Sequence, residues 1–243
     1  MLYRAPAVLL AVTLHELAHG YVAYRCGDPT AKKMGRLTMN PIRHLDPIGT
    51  ISMFLMGVGW AKPVPVNPDN FRDRRWDDLK VSLAGVSTNF GLFLIATVLT
   101  ILLSGILYKP YYLELYGREF FLNFRSSGFL MQLFPTHEQD VVAVLQTPWL
   151  LHVQRFLFQL AMVNLGMGLF NLLPIPPLDG FHVANDLLFK GRINLSGNAF
   201  RFTHLALMIL LFSTDFIGSW INDALYAIQG TVLGPLLRLI SGG

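Results

Sequence analysis

Residues 5–24 read APAVLLAVTLHELAHGYVAY, and this stretch decides the fold class of the chain. Glu16 is its only residue with a formal charge. Twenty residues of α-helix are about 30 Å long, which matches the hydrocarbon core of a bilayer. We therefore predict a membrane-spanning helix that carries an ionisable side chain in its interior.

The composition indicates that the rest of the chain is also embedded in a membrane. Of its 243 residues, 53% are hydrophobic and only 14% are charged, a balance unlike that of a soluble globular domain. The net charge of +4 comes from basic residues between apolar stretches. Membrane proteins carry orientation signals there, so we predict no nucleic-acid partner. Cys26 is the only cysteine, which excludes an intramolecular disulfide and a cysteine-based zinc finger.

Two longer apolar segments without charges lie at 81–108 and 156–178, and both are predicted to cross the membrane. The second contains three prolines between residues 174 and 177. Because proline has no backbone N–H, this helix should stop near Leu173, close to one face of the bilayer.

The remaining apolar segments complete an all-α polytopic membrane protein with about four to six membrane segments. The stretches 202–214 and 224–237 fit either one span plus an interfacial helix or two short spans. We predict a single domain over 1–243, with a core at 1–190 and apolar C-terminal segments at 200–240.

Two connections are unusual. Residues 47–61 are uncharged but few for a crossing, and they contain three glycines. A re-entrant or β-hairpin element packed against protein fits better, because irregular backbone cannot face lipid. The 109–147 loop is apolar enough to lie in the membrane interface or to cover a site as a lid.

Basic residues set the predicted orientation. They are dense between the first span and residue 81, and few in the 109–147 loop. The first of these regions should therefore stay in the cytoplasm, with the N-terminus outside. This orientation places His15, Glu16 and His19 in the cytoplasmic half of the bilayer.

These three residues form the pattern H-E-x-x-H. Two imidazoles at i and i+4 share one helix face and can bind one zinc ion, and the adjacent Glu can take a proton from water that zinc activates. Ionisable groups at this depth are costly and usually functional. The alternative is that the three side chains only hydrogen-bond to neighbouring helices.

A catalytic zinc site needs a third protein ligand in addition to two histidines. The candidates at membrane depth are Asp179, His182, Asp186, His204, Asp215, His44 and Asp46. Asp179 is preferred because the proline-rich break before it frees the backbone to turn a carboxylate inward. Asn171, about two helical turns earlier, supplies an amide that could donate to a developing oxyanion. For the other histidines we predict a buried or interfacial ring with one hydrogen bond, and for Asp46 a turn cap before Pro47.

The chain resembles the site-2 protease family of intramembrane zinc metalloproteases. The resemblance rests on HELAHG at 15–20 and NLLPIPPLDG at 171–180, and stretches at 35–41, 44–50 and 59–68 are similar to the compact bacterial branch. No PDZ or nucleotide-sensing domain fits in the residues available.

The resemblance implies a bacterial inner-membrane enzyme and a set of site residues. His15, His19 and Asp179 would bind a single Zn²⁺, Glu16 would be the general base, and Asn171 would help position or stabilise the substrate carbonyl. The stretch AGVSTN at 84–89 has Val where the family has Pro. We interpret Gly85 and Asn89 as helix-packing residues.

The predicted function is hydrolysis of peptide bonds within or near transmembrane helices, in contact with the lipid bilayer. A substrate helix would have to unwind, and exposed backbone at 47–61 could pair with it as an added strand. The alternatives are a metal-handling transporter and an inactive relative that binds membrane helices. The sequence does not predict the oligomeric state.

Overall fold

The computed structural model describes residues 2–56, 60–133, 138–193, 195, 197–213 and 215–241. Eleven α-helices occur within these ranges, and none of the described residues belongs to a β-strand. The helices are α1 Arg4–Cys26, α2 Thr30–Lys33, α3 Pro47–Met56, α4 Arg74–Leu107, α5 Pro110–Leu122, α6 Ser127–Leu133, α7 Glu138–Val144, α8 Leu150–Asn171, α9 Asp179–Leu188, α10 Gly197–Ser213 and α11 Phe216–Ser241. The all-helical class is therefore confirmed.

The chain divides into two compact units. The first, here called the site unit, consists of Val8–Phe90 and Met167–Ile217. The second consists of Met1–Ala7, Gly91–Gly166 and Gly218–Gly243. A single domain over the whole chain stays a prediction.

Among the described residues, two helices are long and apolar enough to cross a membrane, and they are α4 and α8. The helix α1 covers the predicted first span and is 23 residues long, but its two histidines and Glu16 lower its hydropathy. The helix α8 ends at Asn171, close to the predicted stop at Leu173. The predicted number of membrane segments is not confirmed.

The region predicted as a re-entrant or hairpin element is helical over Pro47–Met56, and residues 57–59 lie outside the described part. Asp46 caps this helix, since its Oδ1 accepts from the Gly49 N–H at 2.8 Å, as expected for a turn before proline. The pairing found here is a single antiparallel bridge between Leu45 and Ala61. A hairpin is therefore not confirmed.

The predicted 109–147 loop is mostly helical and forms part of the core of the second unit. The rings of Phe121, Phe124 and Phe129 are buried, and Phe124 and Phe129 pack together with centroids 4.8 Å apart. Burial of these rings explains why the connection is so apolar. That residues 109–147 lie in the membrane interface or cover a site as a lid stays a prediction.

Candidate metal centre

His15 and His19 lie one turn apart on α1, and both are buried. Their Nε2 atoms are 2.9 Å apart, and the rings meet edge to face with centroids separated by 4.5 Å. The i, i+4 spacing brings the two side chains to one helix face, and the structure places their rings in contact.

Asp179 is the first residue of α9 and reaches the same point from a distant part of the chain. Its Oδ2 lies 3.3 Å from the Nε2 of each histidine. A Cβ added at Gly180 would lie 2.2 Å from the Leu172 carbonyl oxygen, so only glycine allows α9 to start this close to the end of α8. The structure thus brings together the two histidines and the preferred third candidate.

The opposite nitrogen of each ring is hydrogen-bonded to α4. His15 Nδ1 donates to Asn89 Oδ1 at 2.6 Å, and His19 Nδ1 donates to the Val81 carbonyl oxygen at 2.7 Å. Because both partners are acceptors, each Nδ1 must carry the proton, and each Nε2 presents a lone pair to the centre.

Three acceptor atoms therefore converge on one point. Among the described residues, no hydrogen-bond donor reaches the buried Asp179 Oδ2. The three ligand atoms lie within 4.8 Å of one another, and no other group of three His, Cys, Asp or Glu residues among the described residues has this property. A cation would satisfy all three acceptors, and two imidazole nitrogens with one carboxylate oxygen suit zinc.

Gly85 on α4 leaves the space that the two rings occupy. A Cβ at this position would lie 2.4 Å from His19 Nε2 and 2.6 Å from His15 Cε1. The sequence interpretation of Gly85 and Asn89 as packing residues was therefore incomplete, because both contact the histidines. The A-G-x-x-x-N pattern at 84–89 was the available signal, but a single sequence does not tell which helix faces it.

Glu16 is buried beside the histidines. Its Oε2 accepts a hydrogen bond of 2.7 Å from the backbone N–H of Val64. This contact joins residues 48 positions apart in the chain. No motif in the sequence predicts it, because its donor is a backbone group.

Asn171 is half-buried at the end of α8, and its Nδ2 donates to the Met167 carbonyl oxygen at 3.0 Å. This bond stays within the helix. An oxyanion role would use the second N–H of the amide, and it stays a prediction.

The other candidates have partners away from this centre or lie outside it. His44 is buried and donates from Nε2 to the Thr38 carbonyl oxygen at 2.8 Å, which confirms the prediction of one hydrogen bond. His182 Nδ1 bonds to Asp78 Oδ2 at 3.0 Å. Asp215 is exposed, and the side chain of His204 lies outside the described residues.

Asp186 is buried on α9, outside the two candidate spans. Burial raises the pKa of its carboxyl to about 6, and the neighbouring Asp78 carboxylate adds to this effect. The backbone oxygen of Asp186 accepts from Arg75 Nε at 2.7 Å. These contacts hold α9 against the start of α4.

Two histidines on one helix, a carboxylate from another and a glutamate next to the first histidine define the site of a zinc-dependent hydrolase. The chain belongs to peptidase family M50, whose family model matches residues 3–213. Site-2 proteases form this family, so the predicted resemblance is confirmed.

Two relatives agree with this assignment. The chain is 35% identical to a Bacillus subtilis (strain 168) protein named as a zinc metalloprotease, YwhC, over 98% of this chain and 95% of that protein. It is 25% identical to Rip2 of Mycolicibacterium smegmatis (strain ATCC 700084 / mc(2)155), also named as a zinc metalloprotease, over 57% of this chain and 54% of that protein. No solved structure gives a significant match.

The protein is thus an intramembrane zinc metalloprotease, a membrane protein whose cofactor is Zn²⁺. An intramembrane protease implies membrane-protein substrates. Transport and inactive helix binding, the two alternatives from the sequence, are not supported.

Proposed function

We propose that the protein hydrolyses peptide bonds within or near transmembrane helices, with one zinc ion held by His15, His19 and Asp179. The observation that carries this proposal is the convergence of two Nε2 atoms and one carboxylate oxygen at 2.9–3.3 Å without a donor between them. A cation at the centre of these three acceptors stabilises the arrangement, and two imidazoles with one carboxylate suit zinc.

Glu16 is proposed as the general base. When bound, zinc polarises the substrate carbonyl and lowers the pKa of water. The Glu16 carboxylate takes the proton of the attacking water and later delivers it to the leaving amine nitrogen. Asn171 is proposed to donate its amide N–H to the oxygen of the substrate carbonyl as negative charge develops there.

The substrate must present an extended backbone to this site. A transmembrane helix hides its carbonyl groups in its own hydrogen bonds. Local unwinding therefore has to precede hydrolysis, and substrates with glycine or proline near the cleaved bond should react faster than uniform leucine helices.

We further propose a multi-pass chain in a bacterial inner membrane, with the site in the cytoplasmic half of the bilayer. The basic residues between α1 and α4 support this orientation. Water would then reach the site from the cytoplasm, past the proline-rich segment before Asp179.

A cleavage assay with purified protein in lipid vesicles tests the proposal. A model transmembrane helix with a central Gly-Pro pair should be cut by the parent and by Glu114→Gln, a control at an exposed glutamate of α5. Glu16→Gln should lose at least ~1000-fold in rate while retaining zinc. Cleavage at the parent rate by Glu16→Gln would contradict the mechanism.

A further inference from the structure

An extended segment, residues 60–67, runs alongside the second half of α1 and is fixed at both ends. At its start, the Lys62 N–H donates to the His44 carbonyl oxygen at 2.9 Å, and Arg36 Nη2 donates to the Lys62 carbonyl oxygen at 2.8 Å. At its end, the Asn67 N–H donates to Asp28 Oδ2 at 2.8 Å. Only four residues, 63–66, lie between these two anchors, so the segment has little freedom to shift in register.

The middle of this segment contacts Glu16. The sequence there is Pro63-Val64-Pro65. Because proline has no backbone N–H, Val64 is the one residue of these three that can donate a backbone hydrogen bond. Its N–H lies 2.7 Å from Glu16 Oε2, and both residues are buried. A residue between two prolines is also restricted to extended conformations, so the direction of this N–H is fixed by the sequence.

Close packing on α1 supports the same contact. A Cβ added at Gly20 would lie 2.9 Å from Val64 Cγ1 and 2.7 Å from Leu37 Cδ2. Gly20 directly follows His19, so the segment approaches α1 within one turn of the metal centre. The absence of a side chain at Gly20 is what lets the Val64 backbone reach Glu16.

We propose that the Val64 backbone N–H is a positioning group for the proton transfer by Glu16. Glu16 follows His15 by one residue and therefore points about 100° away from it around the helix. Its long side chain needs an external contact to hold one orientation. The Val64 N–H holds Oε2 and leaves Oε1 to take the proton of water. This role rests on the proposed function.

Loss of this contact should lower the rate of the chemical step. A catalytic group that is misplaced by about 1 Å can cost about 100-fold in rate. We expect a fall of about 10- to 100-fold in kcat, with KM changed less than about threefold, because Val64 acts through Glu16 and not on the substrate.

Val64→Pro removes the donor and keeps the extended conformation. Val66→Pro makes the same chemical change two residues along the segment, also directly after a proline, and serves as the matched control. Val64→Pro should lower kcat at unchanged zinc content, whereas Val66→Pro should keep kcat within about threefold of the parent. If the two variants have equal kcat values at full zinc content, the proposal is wrong.

A second variant covers the case in which Val64→Pro fails to fold. Replacing Val64 by its α-hydroxy acid turns the amide into an ester, which removes the N–H and keeps the valine side chain. The ester protein should show the same fall in kcat. A merely structural role would instead lower the melting temperature or the zinc content, with kcat per zinc-loaded molecule unchanged, and would overturn the proposal.

A third measurement, hydrogen exchange of the Val64 amide, requires neither bound metal nor enzymatic activity. In metal-free protein with ¹⁵N-labelled valine, the Val64 amide proton should exchange with solvent slowly in the parent, and at least ~10-fold faster in Glu16→Ala. An unchanged exchange rate would contradict the contact. If the parent cleaves no membrane helix while this exchange difference is present, the proposed function fails and the Val64 contact stands.

Discussion

The two faces of the H-E-x-x-H turn of α1 are supported in different ways. On the histidine side, His15 and His19 are backed by a regular helix, α4, through Asn89 and the Val81 carbonyl. On the glutamate side, Glu16 is backed by the irregular segment 60–67, through one backbone N–H.

This difference matches the tasks of the residues. Metal ligands need fixed distances, and side chains held between two helices have little freedom. The glutamate side depends on anchors distant in sequence, Arg36, His44 and Asp28, which fix the segment. Changes on the histidine side should therefore affect zinc binding, whereas changes on the glutamate side should affect stability and rate.

Of the substitutions on the histidine side, Gly85→Ala should weaken zinc binding most. Its methyl group would lie 2.4 Å from His19 Nε2, so the rings must move out of the ligand position. We expect at least ~100-fold weaker zinc binding, measured by competition with a chelator. Gly91→Ala in the same helix has nothing within 4 Å and should bind zinc as the parent does. Equal affinities of the two variants would show that α4 does not confine the rings.

Asn89→Ala should weaken the histidine side without blocking it. The loss of the acceptor for His15 Nδ1 frees the ring to rotate, and zinc affinity should fall by about 10- to 100-fold. Asn89→Asp keeps an acceptor oxygen and should retain most of the affinity. If Asn89→Ala binds zinc as tightly as the parent, the helix-packing interpretation of Asn89 is sufficient.

Asp28→Asn should loosen the glutamate side. Burial opposes ionisation of Asp28, but hydrogen bonds from the Asn67 backbone and from Thr30 and Asn70 lower its pKa below the ordinary value of 3.8. We expect a loss of about 1–3 kcal/mol in unfolding free energy near pH 7.

The pH dependence of the Asp28 contribution to stability follows from the direction of its pKa shift. A lowered pKa stabilises the fold above pH 3.8, and this contribution is lost as the pH falls through the folded-state pKa. The difference between Asp28→Asn and the parent should therefore shrink below pH 4 in detergent unfolding curves. Asp69→Asn, at an exposed pair with Arg74, should be neutral. A larger loss of stability in Asp69→Asn than in Asp28→Asn would contradict the role of Asp28 as an anchor of the segment.

Asp186→Asn should have the opposite pH dependence to Asp28→Asn. Because the pKa of Asp186 is raised from 3.8 to about 6 by burial and by Asp78, its contribution is present below pH 3.8 and is lost as the pH rises through about 6. The variant should be more stable than the parent at pH 8 and equal to it near pH 4. A parent that is more stable at pH 8 would contradict this reading of α9.

The sequence predicts the local part of the site best. His15, Glu16 and His19 lie within five residues, and helix geometry alone places the two histidines together. Asp179 is more than 150 residues away in the chain. Its prediction as the third zinc ligand depends on the proline-rich break before it and on the family motif. The end of α8 was predicted closely, because prolines remove backbone donors.

The remaining contacts could not be predicted for physical reasons. Asn89 and Gly85 meet the histidines only once α4 packs on α1, and their spacing fits helix packing equally well. The Val64 contact uses a backbone N–H, which has no residue signature. The glycines of residues 47–61 predict a re-entrant or β-hairpin element, whereas residues 47–56 form a helix that Asp46 caps.

The most direct test of the central claim is X-ray absorption at the zinc edge on Glu16→Gln protein. We predict two imidazoles and one carboxylate among the zinc ligands, at about 2.0–2.2 Å. His15→Ala and His19→Ala should each remove one imidazole signal, and Asp179→Ala should lower the zinc content. Full zinc content with an unchanged spectrum in any of these three variants would contradict the assignment of the ligands.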